Sequence, residues 1–213
     1  MSSLLSYVID ALYSLPGILV GLSFHEWAHA YAAYKRGDPT ARNLGRMTVN
    51  PLAHIDLIGF ISLVILGFGW AKPVPVNTRN FKKPRTDELI VSIAGIIVNL
   101  ILGALFMILW FVLALLPYSN DILNTMVQYC YVINFSLAVF NLLPIPPLDG
   151  YRVVQCLFLN GKTYKVFSFL ERYSYVILIA VLLLNSRTHF LNTLVSWVMM
   201  PVISLLRLVL SLI

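Results

Sequence analysis

Two histidines and a glutamate lie close together in an apolar stretch of the chain, as His25, Glu26 and His29. Side chains four residues apart lie on the same face of an α-helix, so both imidazoles can point at one metal ion. Zinc suits two imidazole ligands, and a zinc ion with an open coordination position activates water. Glu26, next to the first histidine, can take a proton from that water. The spacing therefore predicts metal-assisted hydrolysis.

The residues around this motif predict a membrane span. From Leu15 to Ala33 the only acidic, basic or histidine side chains are those of the motif, and Lys35 and Arg36 follow. An ionisable side chain near the centre of a bilayer costs at least ~2.5 kcal/mol on insertion scales, so three of them need a compensating partner. A bound zinc ion would be such a partner.

Composition also indicates a membrane protein. Of the 213 residues, 59% are hydrophobic and 11% are charged, whereas soluble domains average about 25% charged residues. The formal net charge of +6 does not indicate nucleic-acid binding, because the basic residues are scattered along loops beside apolar spans. Cys130 and Cys156 form no motif, and we expect both thiols to be unpaired and structural.

Apolar runs divide the chain into about five to six transmembrane helices, so the expected fold is an all-α polytopic membrane protein. The helix that carries HEWAH is the first, and a Gly-Asp-Pro sequence ends it. The next apolar run, Leu57–Gly69, would be about 20 Å long as a helix. Because a hydrocarbon core is about 30 Å thick, we expect this run to be re-entrant. The later spans are predicted at 88–116, 122–143, 173–185 and 189–213.

A proline-rich segment, Gly69–Asn77, connects the re-entrant run to the next span. Pro73 and Pro75 lack backbone donors on one edge of an extended chain, which leaves the edge of Val74 and Val76 free to pair. Two interpretations stay open. The segment is either an edge strand, which could bind an unwound substrate through its backbone, or a plain connecting loop.

The basic residues predict the orientation. If the first span ends in the cytoplasm, all of the fifteen Lys and Arg residues except Arg187 and Arg207 fall on the cytoplasmic side or close to it. This distribution satisfies the positive-inside rule. His29 lies about 9 Å of helix from Lys35. We therefore expect a multi-pass protein of the cell membrane with its active site toward the cytoplasm.

Three stretches of the sequence resemble one family, the site-2 proteases, which are intramembrane zinc metalloproteases. They are HEWAH with the GDPTA after it, NPLAHID followed by GWAKPVPVN, and NLLPIPPLDG, within about residues 15–155. The similarity is greatest to short bacterial members without an inserted regulatory domain. The resemblance implies one zinc ion per chain, with His25 and His29 as ligands, Glu26 as the catalytic base and Asp149 of the LDG motif as the third ligand.

Reasoning from the residues leads to the same third ligand. A catalytic zinc takes three protein ligands and keeps one position open, and Asp149 lies in a span-end loop that can face the HEWAH helix from the same side. The metzincin pattern is excluded, because Ala32 and Lys35 stand where it needs Gly and His. Two positions depart from the site-2 protease pattern, since Leu57 and Ile96 stand where that family often has proline. We expect them to alter local backbone geometry rather than chemistry.

The predicted activity is hydrolysis of a peptide bond within or near a transmembrane helix of a membrane-protein substrate. A single membrane-embedded protease domain, residues 1–213, would perform it, with C-terminal spans in 173–213. Asn99 and Asn141, both on motifs shared with the family, are candidates for binding the substrate backbone or the developing oxyanion. The expected partners are the substrate and the lipid bilayer.

Two alternative functions fit part of the pattern. A zinc transporter also carries intramembrane His and Asp residues, but it needs no glutamate beside the first histidine, and it usually has a repeat symmetry that this sequence lacks. A catalytically silent zinc-binding scaffold would not need the complete set of zinc ligands and catalytic base, all of which are present in this sequence. His54 is expected to be a satisfied loop histidine rather than part of the site.

Overall fold

The structure, a computed structural model, describes residues 2–66, 69–117 and 120–211. Nine α-helices lie within these ranges, and no strand does, so the predicted all-α architecture is confirmed. The helices are α1 (Ser2–Lys35), α2 (Thr40–Asn43), α3 (Leu57–Leu66), α4 (Pro84–Leu115), α5 (Asp121–Leu142), α6 (Asp149–Phe158), α7 (Tyr164–Arg172), α8 (Ser174–Thr188) and α9 (Phe190–Leu210).

Four of these helices are long and apolar enough to cross a membrane, namely α1 from Val8 onward, α4, α5 and α9. The short helix α7 and the apolar helix α8 meet at 73° and make a fifth span if the bent pair is counted as one. The polytopic membrane fold is thus confirmed, although the described residues hold four candidate spans, one fewer than the lowest number predicted unless the bent pair is counted.

Helix α1 begins before the predicted first span and ends where the sequence predicts. It starts at Ser2, well before the apolar run that begins at Leu15, and continues through Pro16. At the other end Gly37 has φ +106°, and the N–H groups of Gly37 and Asp38 bond to carbonyls of the last turn. This Schellman arrangement satisfies carbonyls that the helix leaves unpaired. It also turns the chain back so that Asp38 is buried.

Small residues let α1 approach α5 closely. A Cβ added at Gly17 would lie 2.9 Å from the Cα of Cys130, and one at Gly21 would lie 2.8 Å from Cδ1 of Leu137. The Gly-x-x-x-Gly spacing of α1 therefore builds this contact, as in many membrane helix pairs. Helices α4, α5 and α9 meet in an apolar cluster formed by Met107, Tyr131, Phe135, Val139 and Val195.

In its described residues, the connection between α1 and α4 holds no helix long enough to cross the membrane. Helix α3 is about 15 Å long, and residues 67 and 68, near the end of the predicted re-entrant run, lie outside the described residues. Residues 69–77 then run without regular secondary structure and pair with another segment only at an isolated antiparallel bridge between Ile55 and Ala71. Of the two interpretations of this segment, the structure has the connecting loop, and it forms no strand among the described residues.

Prolines separate α5 from the short helix that follows it. The sequence NLLPIPP cannot continue a helix, so α5 ends at Leu142 and helical structure resumes at Asp149. Asp149 is therefore in the first turn of α6 and not in the loop that the sequence predicts, because the proline run ends one residue before Leu148 and the chain can resume helical geometry there. Because α6 packs against α4, which also packs against α1, Asp149 comes to lie beside the HEWAH motif.

Candidate active site

Three ligand atoms from α1 and α6 meet at one point. The Nε2 atoms of His25 and His29 lie 3.0 Å apart, and each lies 3.1 Å from Oδ2 of Asp149. The helical spacing of four residues places the two rings on one face of α1, as the sequence predicts, where they meet edge to face at an interplanar angle of 85°. The carboxylate comes from Asp149, which follows the proline break at the start of α6. The three residues predicted as ligands are therefore brought together and could hold a metal ion.

The hydrogen bonds behind the histidine rings determine which ring nitrogens carry protons. Nδ1 of His29 lies 2.8 Å from the backbone oxygen of Val91, and Nδ1 of His25 lies 2.8 Å from Oδ1 of Asn99. Both partners are acceptors, so both Nδ1 atoms carry the proton and both Nε2 atoms present lone pairs.

Without a cation, the arrangement at the centre would be unfavourable. Two lone pairs and a carboxylate oxygen would face one another at about 3 Å. A tetrahedral zinc ion with bonds of about 2.0–2.1 Å would hold its ligand atoms about 3.3 Å apart, which is close to the observed triangle. The donor set and its protonation therefore fit a zinc ion.

A glycine on α4 makes room for the two rings. A Cβ at Gly95 would lie 2.5 Å from Nε2 of His29 and 2.6 Å from Cε1 of His25. No side chain larger than a hydrogen atom fits there without moving an imidazole. The sequence indicates only that small residues of this helix permit close helix contact, so the reason for Gly95 comes from the structure.

Asn99 lies behind His25 and is fully buried. It is 0% exposed, and its amide contacts His25, the backbone oxygen of Gly21 at 3.4 Å and Oδ1 of Asn134 at 3.2 Å. This burial leaves Asn99 no surface for the expected contact with substrate. Its hydrogen bond instead orients the imidazole of His25. Asn134 was not predicted, although a polar residue in the middle of an apolar span is a signal of a functional contact. The other expected substrate residue, Asn141, donates to a carbonyl of its own helix at 3.0 Å.

Glu26 lies on the other side of the motif, where the connecting loop passes. It is 9% exposed, and its Oε2 accepts a hydrogen bond of 2.7 Å from the backbone N–H of Val74. Val76 packs against the buried cluster of Ala33, Phe81 and Val91. The edge at Val74 and Val76, which the sequence predicts to be free, is thus occupied in this structure. The Val74 N–H already binds the candidate base, and the Val76 side chain packs against the core.

Buried and charged groups hold the loop in place. Asp38 is 0% exposed, and its carboxylate accepts bonds of 2.7 Å from the Asn77 backbone N–H, 2.7 Å from the Asn80 side chain and 2.5 Å from the Thr40 hydroxyl. Burial acts to raise the pKa of Asp38, but these hydrogen bonds outweigh it and hold the pKa below its ordinary value. At the other end of the loop, Arg46 donates to the backbone oxygen of Lys72 at 2.8 Å.

Helix α6 is anchored at the end far from Asp149. The guanidinium of Arg85, near the start of α4, donates to the backbone oxygens of Cys156, Leu157 and Leu159. These carbonyls would otherwise be unpaired at the end of the helix. Arg85 therefore helps to fix the helix that presents the carboxylate.

The remaining histidines and the cysteines lie outside the ligand triangle. His54 is buried, and its Nε2 lies 2.7 Å from the backbone oxygen of Thr48. His189 is at the junction of α8 and α9 with φ +52°. Cys130 and Cys156 are free and buried, as predicted.

Comparison with known proteins gives consistent matches. The sequence profile of peptidase family M50 matches residues 116–185, a range that contains the LDG motif. YwhC of Bacillus subtilis is 39% identical in an alignment of 213 positions, which covers 96% of this chain and 92% of that protein. Rip2 of Mycolicibacterium smegmatis is 27% identical in an alignment of 198 positions, which covers 91% of this chain and 75% of that protein.

A third relative, MJ0611 of Methanocaldococcus jannaschii, is 30% identical over 149 residues, which cover 70% of this chain and 72% of that protein. All three relatives are named as candidate zinc metalloproteases. No solved structure matches the chain significantly. Similarity of this extent along almost the whole length, together with the profile match, shows that the chain belongs to peptidase family M50, the site-2 protease family of zinc metalloproteases.

Proposed function

We propose that this zinc metalloprotease hydrolyses a peptide bond within or beside a transmembrane helix of a membrane-protein substrate. The observation that carries the proposal is the location of the His25, His29 and Asp149 triangle. Two of its members and Glu26 lie on α1, a helix long and apolar enough to cross a membrane. A hydrolytic site on such a helix can reach peptide bonds that are at or within the bilayer.

The residues divide into ligands and a base. In this proposal His25, His29 and Asp149 hold the zinc ion, which when bound polarises the scissile carbonyl and acidifies the attacking water. Glu26 takes a proton from that water and later delivers it to the leaving nitrogen. The charges also balance, because a divalent cation with the carboxylates of Asp149 and Glu26 sums to about zero, and a low-dielectric site tolerates this.

The connecting loop has two roles in this proposal. Before the substrate arrives, the Val74 N–H holds Glu26 through the bond of 2.7 Å. An intact substrate helix hides its carbonyls in internal hydrogen bonds, so the substrate must unwind near the site. The backbone around Val74 and Val76 is an irregular segment beside Glu26 to which an unwound chain could pair, with Asn141 as a further candidate contact.

A reconstitution experiment tests the activity. Parent protein and a Glu26→Gln variant would be placed in proteoliposomes with single-span membrane proteins as substrates, with and without a zinc chelator. We expect parent protein alone to cleave, the chelator to stop cleavage and added zinc to restore it, and mass spectrometry to map the cut within or next to the transmembrane helix. Cleavage of soluble peptides only would contradict the intramembrane part of the proposal and leave the metalloprotease assignment intact.

We also propose that the active site faces the cytoplasm. The basic residues at the end of α1 and in the loops on either side of α3 support this orientation through the positive-inside rule. A single cysteine at Thr78 should then react with a membrane-impermeant reagent from the cytoplasmic side, and one at Asn120 from the opposite side. Reaction of both from the same side would contradict the proposed orientation.

A further inference from the structure

Two asparagines are buried side by side in membrane-spanning helices. Asn99 of α4 and Asn134 of α5 are both 0% exposed, and the Asn99 side chain donates to Oδ1 of Asn134 at 3.2 Å. A polar amide in an apolar interior is unfavourable unless its groups are hydrogen-bonded. Because the pair lies directly behind His25, both amides can take part in orienting this histidine.

The hydrogen bonds of the pair have a single allowed direction. Nδ2 of Asn134 lies 2.8 Å from the backbone oxygen of Cys130, which can only accept, so Asn134 must turn its own oxygen toward Asn99. Asn99 must then donate its Nδ2 to that oxygen and present Oδ1 to His25. Nδ1 of His25 has to carry the proton, which leaves Nε2 with a lone pair toward Asp149.

We propose that Asn134 is a positioning residue that acts through Asn99 to keep His25 in the tautomer whose Nε2 can bind zinc. This inference rests on the ligand role of His25 in the proposed function. Without Asn134, the long contact of 3.4 Å from Asn99 to the Gly21 carbonyl is the one hydrogen bond within the described part of the chain that opposes a flip of the amide. The flipped amide would present N–H groups to Nδ1, the proton would move to Nε2, and that nitrogen could no longer bind the metal.

The second histidine provides an internal comparison. Nδ1 of His29 bonds to the backbone oxygen of Val91 at 2.8 Å, and a main-chain carbonyl cannot flip. His29 therefore needs no side chain to choose its tautomer. Only the His25 half of the site should respond to a change at Asn134, so metal binding should weaken without being abolished.

The experiment measures metal binding in the full-length protein. Zinc affinity would be determined by chelator competition for the parent, Asn134→Leu and Asn99→Leu, and cobalt would be substituted for zinc so that its visible absorption reports the ligand set. We expect affinity to fall about 10-fold for Asn134→Leu and by about 10- to 100-fold for Asn99→Leu, the usual range for groups that orient a ligand. The cobalt spectrum should change in both variants. Asn124→Leu, the same substitution on the same helix, should match the parent.

A double variant distinguishes positioning from a structural role. If Asn134 acts through Asn99, the double Leu variant should bind zinc no more weakly than Asn99→Leu alone, whereas independent packing losses would add. If Asn134→Leu does not fold, Asn134→Ser replaces it, because the hydroxyl can bond to the Cys130 carbonyl but cannot reach Asn99. If a folded Asn134 variant has the zinc affinity and the cobalt spectrum of the parent, the inference about Asn134 is wrong and the proposed function is unaffected. Absence of zinc binding or cleavage in the parent would instead overturn the proposed function.

Discussion

The two sides of the HEWAH motif are built in different ways. On the histidine side, His25 and His29 are enclosed by groups from packed helices, with Asn99 and Gly95 from α4 and Asp149 from α6. On the glutamate side, the bond that holds Glu26 comes from a backbone N–H of an irregular loop. One side is thus a product of helix packing, and the other depends on where a connecting segment is held.

This difference suggests a division of labour within the site. A zinc site requires several ligands at fixed mutual distances, and packed helices provide such rigidity. A base that must exchange protons with water and with a leaving group needs a partner that can give way, and a backbone N–H in a loop is such a partner. We therefore expect changes on the histidine side to alter zinc content, and changes on the glutamate side to alter turnover at constant zinc content.

The largest effect should come from exchanging the two carboxylates for neutral residues. Asp149→Ala removes an anionic ligand and leaves two histidines, too few for a stable catalytic zinc site, so zinc content should drop. Glu26→Gln keeps the shape and removes the base, so zinc should stay near one per chain while cleavage falls by about several orders of magnitude. Metal analysis of both variants at one pH is the measurement, because the histidines must be neutral to bind. Loss of zinc in Glu26→Gln together with full zinc in Asp149→Ala would show that the ligand and base assignments are wrong.

The second largest effect is expected at Gly95. An alanine there would place a Cβ 2.5 Å from Nε2 of His29, so a ring must move. Zinc affinity should fall by about 100-fold, the upper end of the range for loss of a group that orients a ligand. Gly161→Ala is the matched control, because nothing lies within 4 Å of its Cβ position. Equal zinc affinity of the two variants would contradict the packed-helix account of the histidine side.

A smaller effect is expected in the loop that holds the base. Val74→Pro removes the N–H that bonds to Glu26, whereas Pro73→Ala adds a donor next to it and leaves that bond in place. Turnover should fall by about 10-fold for Val74→Pro, the loss of one hydrogen bond to a charged group, and change little for Pro73→Ala. Zinc content should be unchanged in both. If the two variants cleave at the same rate, the Val74 contact has no role in turnover.

The smallest effect is expected at Asp38, whose hydrogen bonds to Asn77 and Asn80 form the tether of this loop. Asp38→Asn keeps the size of the side chain but loses the anionic acceptor for Asn77 and Asn80, and we expect turnover to fall by less than about 10-fold at unchanged zinc content. Asp121→Asn, an exposed position at the start of α5, is the control and should be neutral.

The stability that the Asp38 tether contributes should depend on pH, because the pKa of Asp38 is lowered in the folded protein. A carboxylate whose pKa is lower in the folded state contributes stability above its ordinary pKa, and that contribution is lost as pH falls through the folded-state value. The difference in thermal stability between the parent and Asp38→Asn should therefore be constant near neutral pH and should shrink below about pH 4. A difference that instead grew with acidity would contradict the account of the tether.

Much of the architecture could be predicted because it depends on local pattern. The apolar runs predicted the spans α1, α4, α5 and α9, and the proline run predicted the break before Asp149. The loop at residues 69–77 was less predictable, because alternating Pro and Val residues fit both an edge strand and an irregular segment. Its contacts with Glu26 and Asp38 join it to α1 and the turn after α1 rather than to another strand.

Asn99 shows where prediction of the site stopped. Its position on a shared motif suggested contact with the substrate, yet the structure turns it toward His25 and Asn134. In a soluble helix, alternation of polar and apolar residues would indicate which side faces the interior. In a membrane span, the side that faces lipid and the side that faces protein are both apolar, so the sequence pattern does not fix the rotation of the helix.

The sequence by itself determined that His25 and His29 share a face, that Glu26 stands next to them and that Asp149 follows a break in the helix. These are local properties of helical periodicity and of proline. Only the tertiary structure decided that Gly95 makes room for the rings, that Asn134 lies behind Asn99 and that Val74 reaches Glu26. Each of these contacts joins residues far apart in the chain, and it depends on how helices with nearly uniform apolar surfaces rotate and pack against one another.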